Sequence, residues 1–568
     1  MTESFMKGLF GGVIAESLVF PYPEPNRADV DRIHVVLDAL RKFSAKHDAA
    51  KTDRDEAISA ETMDALKTIG AFGWIIPRDH GGSGFNPTMH ARVMQELAGI
   101  DVSLAVVVLA HQSLAITTLL HYATIAFSAR LLPRLATGEL VGAFALAETV
   151  AGSDAAAIRT RADRDGDDYV ITGDKAWVTS GTFADLFVVF ARTSPAEEGA
   201  KPRLSAFVVP RTNGVRSSTP EPTLGVRGAG VSDVTFDRVR VPQDHVLGEI
   251  GQGFKIAMEV LTHARLSLAS VCIGASKRLL KLSIDRVGKR KSFGRSISEF
   301  GLVRDKIARM TAAIFALESM TYLTTGLASE NHCDVILESA ICKVFGSEML
   351  WLVANEAQQI AAAAGYTRRE PYEQMLRDAR APMVFAGTNE ILRSFIALSG
   401  MHGPGHELEE VRKAMHEPIK SLGLLSDFAI RKARTALGRE RLSAAHPVLA
   451  RETAVFEEYT AHLTRSVDKA LRRHGKNITE AQYAQKRVST MAIDLYAIGA
   501  VLARTTRAIE RRGEEGARRE IDLTSIFVAS ANRRLADTMA AFENNDDELR
   551  KAIAQKTCSD GGYPLDIL

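Results

Sequence analysis

Cysteine is scarce in this chain of 568 residues. There are four, at 272, 333, 342 and 558, with no CxxC pair and no histidine at a ligand spacing. That pattern excludes a disulfide framework and a metal site, and it implies reduced thiols in a cytosolic-type compartment. Excess charge is also missing. Lys and Arg number 71 against 69 Asp and Glu, a net charge of +2, so no global field points to nucleic acid. No apolar run approaches the roughly 20 residues needed to span a bilayer. The N-terminus, MTESFMKGLFGGVIAESLVFPYPEP, has a short apolar patch but an early Glu3 and no strongly basic leader. It is therefore not expected to be a signal peptide; residues 1–27 read as a loosely packed arm.

What is present is the balance of a globular protein: 46% hydrophobic and 25% charged residues. The length suggests roughly two to four domains. From 28 to 141 the period is helical. DVDRIHVVLDALRKFSAKH places Ile33, Val36, Leu37 and Leu40 on one face. VSLAVVVLAHQSLAITTLL is nearly all apolar and predicts a buried helix. From 142 to 250 the period falls to two. DDYVITGDKAWVTSG, DLFVVFARTS, LSAFVVPRTNGV and VTFDRVRVP are short β-branched and aromatic runs bounded by Gly, Asp and Pro. An antiparallel sheet or small barrel is expected there, because no helix interrupts the runs. From 251 to 400 long amphipathic helices return, enough for a four-helix bundle.

Residues 401–444 read as a linker. Its middle carries Leu422, Leu424, Leu425, Phe428 and Ile430, flanked by Lys420, Arg431, Lys432, Arg434, Arg439 and Arg441. Such a basic amphipathic segment, 420–441, can lie on an anionic membrane surface or pack its apolar edge on the protein body. Residues 445–568 form a further helical domain.

Five motifs, in order, carry a resemblance. FALAETVAGSD (Phe144 to Asp154), KAWVTSG (Lys175 to Gly181), RKSFG (Arg290 to Gly294), QQIAAAAGY (Gln358 to Tyr366) and VFAGTNEILR (Val384 to Arg393) stand at compatible spacings. Together they resemble the acyl-CoA dehydrogenase family. The order of domains, with an added C-terminal helical domain, resembles its very-long-chain branch. GYTRREPYEQMLRDAR also resembles that branch's mitochondrial relative that serves complex I assembly. The resemblance implies an α+β, mostly α fold: an N-terminal helical domain, a middle antiparallel β domain, a four-helix bundle, and the extra C-terminal helices.

It also implies FAD as cofactor and a long-chain acyl-CoA as substrate, dehydrogenated to the trans-2-enoyl-CoA. The implied flavin contacts are Phe144, Leu146, Ala147, Gly152, Ser153, Trp177, Thr179, Arg290, Phe293, Gln359, Gly365, Thr388 and Asn389. Physical chemistry agrees for several of them. Gly152 permits close backbone approach, Ser153 and Thr179 offer hydroxyls, and Trp177 offers a flat apolar face. Arg290 and Phe293 imply a neighbouring subunit's cofactor, hence a homodimer. Ser153, Arg265 and Gly387 are the implied substrate contacts. Electron-transfer flavoprotein or a similar acceptor, and a cytoplasmic location at most peripheral to a membrane, complete the expectation.

The departures matter more than the matches. The family's catalytic glutamate position is Ala386, and the alternative position on another helix is Ala264. The flavin-loop threonine is Ala147, and the paired glycines are Ala362 and Ala363. Ala386 keeps a backbone N–H that can polarise a thioester carbonyl, but it accepts no proton. Glu390 is one helical turn on, and Glu148 is expected to be structural. Three explanations stand: a glutamate replaced by design, a natural relative that binds acyl-CoA or serves as an assembly scaffold without dehydrogenating, or another reaction on the same flavin platform.

Overall fold

The protein is described by a computed structural model over residues 4–193, 203–329, 333–414 and 441–567, with side chains of 407–414 excluded. The expected membrane-facing segment therefore lies outside the described residues, apart from Arg441 at its edge. The chain divides into two compact units. One is Pro21–Leu392; the other joins Ser4–Phe20 to Arg393–Leu568.

In the first unit, each helix starts and stops where local chemistry dictates. Asn26 caps Arg27–Ser44 by accepting from the Asp29 N–H at 2.8 Å, and Ile33, Leu37 and Leu40 are buried on one stripe. The expected apolar helix forms as Val102–Leu109 and Thr117–Tyr122, with a π-helical stretch, Ala110–Ile116, between them. Gly253–Lys289 runs for 37 residues through the middle of the unit. Pro87–Ile100 packs on it so closely that a Cβ at Gly274 would meet the Gln95 carbonyl oxygen at 2.0 Å. Gly301–Ala328 and Ile336–Ala361 complete the bundle.

Contrary to the expectation from run length, three helical stretches among the described residues are long and apolar enough to cross a membrane: Val102–Tyr122, Gly253–Lys289 and Gln482–Gly516. Their most apolar windows are 94%, 78% and 89% buried inside the fold. A helix enclosed on all sides needs no polar face, which explains the composition.

The middle sheet has eight strands: β1 Gly142–Ala145, β2 Arg161–Asp165, β3 Asp168–Val178, β4 Leu186–Arg192, β5 Leu204–Pro210, β6 Val215–Ser217, β7 Ser232–Val241 and β8 Val246–Leu247. The order is β6-β7-β3-β2-β4-β5-β8, with β1 on β4. The antiparallel expectation needs correcting in two places: β1 runs parallel to β4, and β2 meets β4 in parallel through Arg161 and Arg192. Strand β4 explains the continuous apolar runs. Leu186, Val188 and Phe190 join one core with helical residues such as Ile116 and Phe127. Phe187, Val189 and Ala191 join a second core with Phe207 and Phe236. Both faces are covered, so alternation gives way to uniform hydrophobicity.

The second unit overturns the loose-arm expectation. Phe5–Phe10 is a short helix capped by Ser4, with Phe5, Met6, Leu9 and Phe10 buried. The Phe5 ring lies 6.4 Å from Phe456 and 6.3 Å from Tyr496. The apolar patch is a core element, held between Ala450–His474 and Gln482–Gly516. Arg518–Glu543 closes the bundle, with Arg534 paired to the buried Asp494 at 2.6 Å.

A buried carboxyl in the first unit sets a pH dependence. Asp378 accepts from the Val226 N–H at 2.6 Å. Burial, with Asp101 and Asp53 adding to it, pushes its carboxyl up to about 7, against the pull of Arg377. A folded-state value above the unfolded one gives stability that is full below about pH 4 and lost as pH rises toward 7. Asp378→Asn is expected to remove about 2 kcal/mol of stability loss between pH 5 and 7. Urea midpoints of both proteins at the two pH values check this; equal slopes would refute it.

Candidate active site

The loop around Ala386 lies between a 3-10 turn, Ala381–Met383, and the helix Asn389–Ala414. It turns on two consecutive left-handed residues, Ala386 at φ +54 and Gly387 at φ +97. Glycine takes that region freely, whereas alanine adopts it at a cost of about 1 kcal/mol. Something must hold it there. Lys343, wholly buried on Ile336–Ala361, donates to the Gly387 carbonyl at 2.7 Å, to Asn389 Oδ1 at 2.8 Å and to the Met383 carbonyl at 3.4 Å. Asn389 in turn donates to Ser347 Oγ at 3.0 Å and to Glu348 Oε1 at 3.4 Å. Burial pushes the Lys343 ammonium down to about 7.

From the opposite wall, Arg265 on Gly253–Lys289 reaches the Ala386 carbonyl, Nε to O 3.5 Å. Burial pushes its guanidinium down to about 10, so it stays charged at neutral pH. Ala386 itself is half-buried, and its N–H donates to no protein oxygen among the described residues. Ala264, the neighbour of Arg265, is fully buried. Neither alanine offers a carboxylate, and Glu390 stands exposed at the start of its helix.

A second loop is anchored in the same way. Glu148 is buried and accepts from Lys175 Nζ at 2.8 Å, from the Thr160 N–H at 2.9 Å and from the Arg159 N–H at 2.6 Å. Burial opposes its charge, but the Lys175 ammonium and these donors hold its carboxyl below the usual range. Lys175 also donates to the Leu146 carbonyl at 3.0 Å. The structural role expected for Glu148 is what the geometry shows. The pair fixes the stretch that carries Leu146, Ala147, Gly152 and Ser153. Gly152 and Ser153 are exposed, Leu146 and Ala147 half-buried.

One strand on, an irregularity between Lys175 and Val178 sets Trp177 at φ +55. Lys175 then points inward while the indole is 52% exposed. Thr179 is half-buried beside it, and Phe144 packs on Phe190 at 4.9 Å between ring centroids. Arg290 and Gln359 are exposed, Gly365 is buried, Thr388 is half-buried, and Phe293 is 94% exposed. Asn389 is the member of the expected set whose side chain is turned inward, to Lys343 and Ser347. Its side chain braces the loop against Ile336–Ala361.

The helix Ile336–Ala361 stops on schedule, and Ala362 sits at φ +53, ψ −136. That conformation suits glycine, so the turn carries a methyl at a cost in backbone strain.

Lys343, Ser347 and Glu348 escaped the sequence reading. The signal was available: a lone lysine within the apolar run AICKVFG, on a helix stripe that is otherwise buried.

Four consecutive segments of the chain match known family descriptions. Residues 32–139 match "Acyl-CoA dehydrogenase, N-terminal domain", 143–239 the middle domain, and 251–401 the C-terminal domain. Residues 447–563 match "ACAD9/ACADV, C-terminal domain". The chain is 34% identical over 579 residues to the mitochondrial very long-chain specific acyl-CoA dehydrogenase of Bos taurus, covering 99% of this chain and 88% of that one. To the Homo sapiens protein of the same name it is 35% identical over 556 residues, covering 96% and 85%. The fold resembles that of a Bacillus anthracis acyl-CoA dehydrogenase solved with FAD, with a TM-score of 0.80 at 24% identity, over 98% of this chain and 96% of that one.

Two substitutions test the site's construction. Lys343→Met leaves loop oxygens in the core without their donor, and is expected to cost about 3 kcal/mol or more. Urea unfolding should show it, with faster proteolysis at the 384–388 loop; an unchanged midpoint would contradict the cradle. Ala362→Gly relieves the left-handed alanine and is expected to gain about 1 kcal/mol, read as a raised melting temperature.

Proposed function

The chain belongs to the acyl-CoA dehydrogenase family, and we propose that it binds FAD and a long acyl-CoA but dehydrogenates it slowly or not at all. The observation that carries this reading is Ala386: an intact, braced loop with no carboxylate on it.

The residues present fit FAD. Trp177 offers a half-exposed indole for a flat ring to cover, and Thr179 offers a hydroxyl beside it. Gly152 has open space around it, and Ser153 is exposed on the loop that the Lys175–Glu148 pair fixes. Bound there, FAD supplies a hydride acceptor for the β-carbon. The protein's own part is to polarise the thioester and take the α-proton. Among the described residues the Ala386 N–H has no protein acceptor, and it is available to a thioester oxygen. Arg265 holds the carbonyl of that same residue and so fixes its orientation. Proton removal is the step with no group assigned to it. A positioned base is worth roughly 10² to 10⁴ in rate.

Exposed Arg290 and Phe293 support a homodimer in which they reach the partner's cofactor. An electron-transfer flavoprotein is the acceptor we assign where turnover occurs. The same absence at 264 and 386 also favours a second reading, a non-catalytic acyl-CoA binder or assembly scaffold, for which residues 420–441 would supply a membrane contact.

Ala386→Glu separates the readings. Anaerobic titration with palmitoyl-CoA is expected to shift the flavin band of the Ala386 chain without bleaching it, and to bleach it in the variant. Bleaching in the Ala386 chain would mean another base acts. Failure to bleach in a variant that binds FAD and palmitoyl-CoA would favour the scaffold.

A further inference from the structure

The helix Asp547–Asp560 buries no residue, and every described side chain from 548 to 567 is exposed. A helix of 14 residues is marginal in water without a packed face. Its own ion pairs, Arg550 with Asp546 at 2.7 Å and Lys556 with Asp560 at 2.8 Å, lie at the surface and contribute little.

Two contacts hold this helix to Gln482–Gly516, and both are on one side of it. Asp547 accepts two bonds from Arg487, at 2.6 and 2.7 Å. One turn on, the Lys551 ammonium stands 5.9 Å from the centre of the Tyr483 ring. Leu549 and Ile553 stand two residues from these anchors, which turns them about 200° round the helix axis. They face away from Gln482–Gly516 and are 60% and 57% exposed.

These two are the middle of a stripe. Asp546, Leu549, Ile553 and Lys556 recur at intervals of three and four, so they share one face. The stripe reads acidic, apolar, apolar, basic, and that order complements itself when reversed. A two-fold axis at the level of Lys551 sets Leu549 against Ile553 of a second copy, and Asp546 against that copy's Lys556. Each contact then occurs twice. Parallel pairing would instead set Asp546 against Asp546 and Lys556 against Lys556, which repel. On one flank Ala552 is small; on the other, Arg550 is neutralised by Asp546 of its own copy.

We propose that Asp547–Asp560 is a self-association surface, pairing antiparallel with the same helix of a second copy of this chain. Charge complementarity along the stripe selects that occupant. The contact requires neither FAD nor acyl-CoA, and it shares no residue with the Arg290 and Phe293 contact proposed above. It is small beside a standard interface of about 1,600 Å², so the association is weak, in the micromolar range.

The test is sedimentation velocity of the full chain at about 1 to 100 μM. The expected result is an association step that grows with concentration and is absent when Leu549→Ser and Ile553→Ser are combined. Asp546→Lys alone and Lys556→Asp alone should each weaken the step about tenfold by setting like charges together. The two combined should restore it, because the exchanged charges again face one another. Both changes oppose the helix dipole, so fraying alone would make the combined variant the worst of the three. Loss of the step without that rescue therefore overturns the pairing. Identical sedimentation of the full chain and the serine variant overturns it too. If the serine variant sediments unchanged but loses binding to phosphatidylglycerol vesicles, the stripe meets a membrane and the proposal is overturned.

Discussion

A buried ammonium with its acceptors in one short loop is the constraint on which this site rests. Lys343 has no solvent to turn to, and it finds the carbonyls of Met383 and Gly387 and the Asn389 amide oxygen. Taking a lysine out of water is costly unless each donor is paired. The loop supplies those partners only when Ala386 and Gly387 take left-handed backbone. The strain of one is thus offset by the satisfaction of the other. Because Lys343 sits in a long, largely buried helix, the loop is tied to Ile336–Ala361 and not only to its neighbours in sequence.

The loop that carries Glu148 repeats the device with the sign completed. There the lysine comes from strand β3 and the loop provides the anion, Glu148, so that Lys175 and Glu148 neutralise one another out of water. Breaking such a pair from one side leaves an uncompensated buried charge, which is why both partners act as fixed points. The bulge that turns Lys175 inward also turns Trp177 outward, so anchor and exposed indole are set by one irregularity in the β3–β7 pairing. Structure and presentation of the site are coupled at a single place in the strand.

Much of this was legible in the sequence. The change of period at 142 and back near 250 marks the helix, sheet and bundle blocks, and the Gly- and Pro-bounded runs mark the strands. Glu148 was expected to be structural because the resemblance makes it a standing feature of its loop, and the structure supplies the reason: it is paired with Lys175 out of water. What escaped was tertiary. Lys343 looks like any helix lysine until its neighbours across the bundle are known, and no periodicity argument links residue 343 to residue 387. The Phe5–Phe10 helix was missed because six apolar-rich residues do not hold a helix alone; contacts from Phe456 and Tyr496 do. Parallel pairing of β1 with β4 was missed because alternation reports faces and burial, not strand direction.

The pattern of substitutions separates backbone from chemistry. Ala362 and Ala386 both stand at positive φ, in conformations that glycine tolerates best. An accumulated loss of constraint would be expected to let these turns relax toward ordinary helix or extended backbone, since each alanine costs energy where it is. They are held instead by groups elsewhere: the Lys343 cradle at one, and at the other the end of Ile336–Ala361, where the Ala362 N–H still donates to the Gln358 and Gln359 carbonyls. The scaffold therefore does not register which side chain stands at 386. A base there would be worth roughly 3 to 5 kcal/mol of activation barrier by its rate effect, whereas the fold gains or loses little from the exchange at a half-buried loop position. The contacts that brace this loop are made by backbone oxygens and by Asn389, none of them by the side chain at 386. A carboxylate at that half-buried position would therefore add a proton acceptor without replacing any of the contacts that hold the turn.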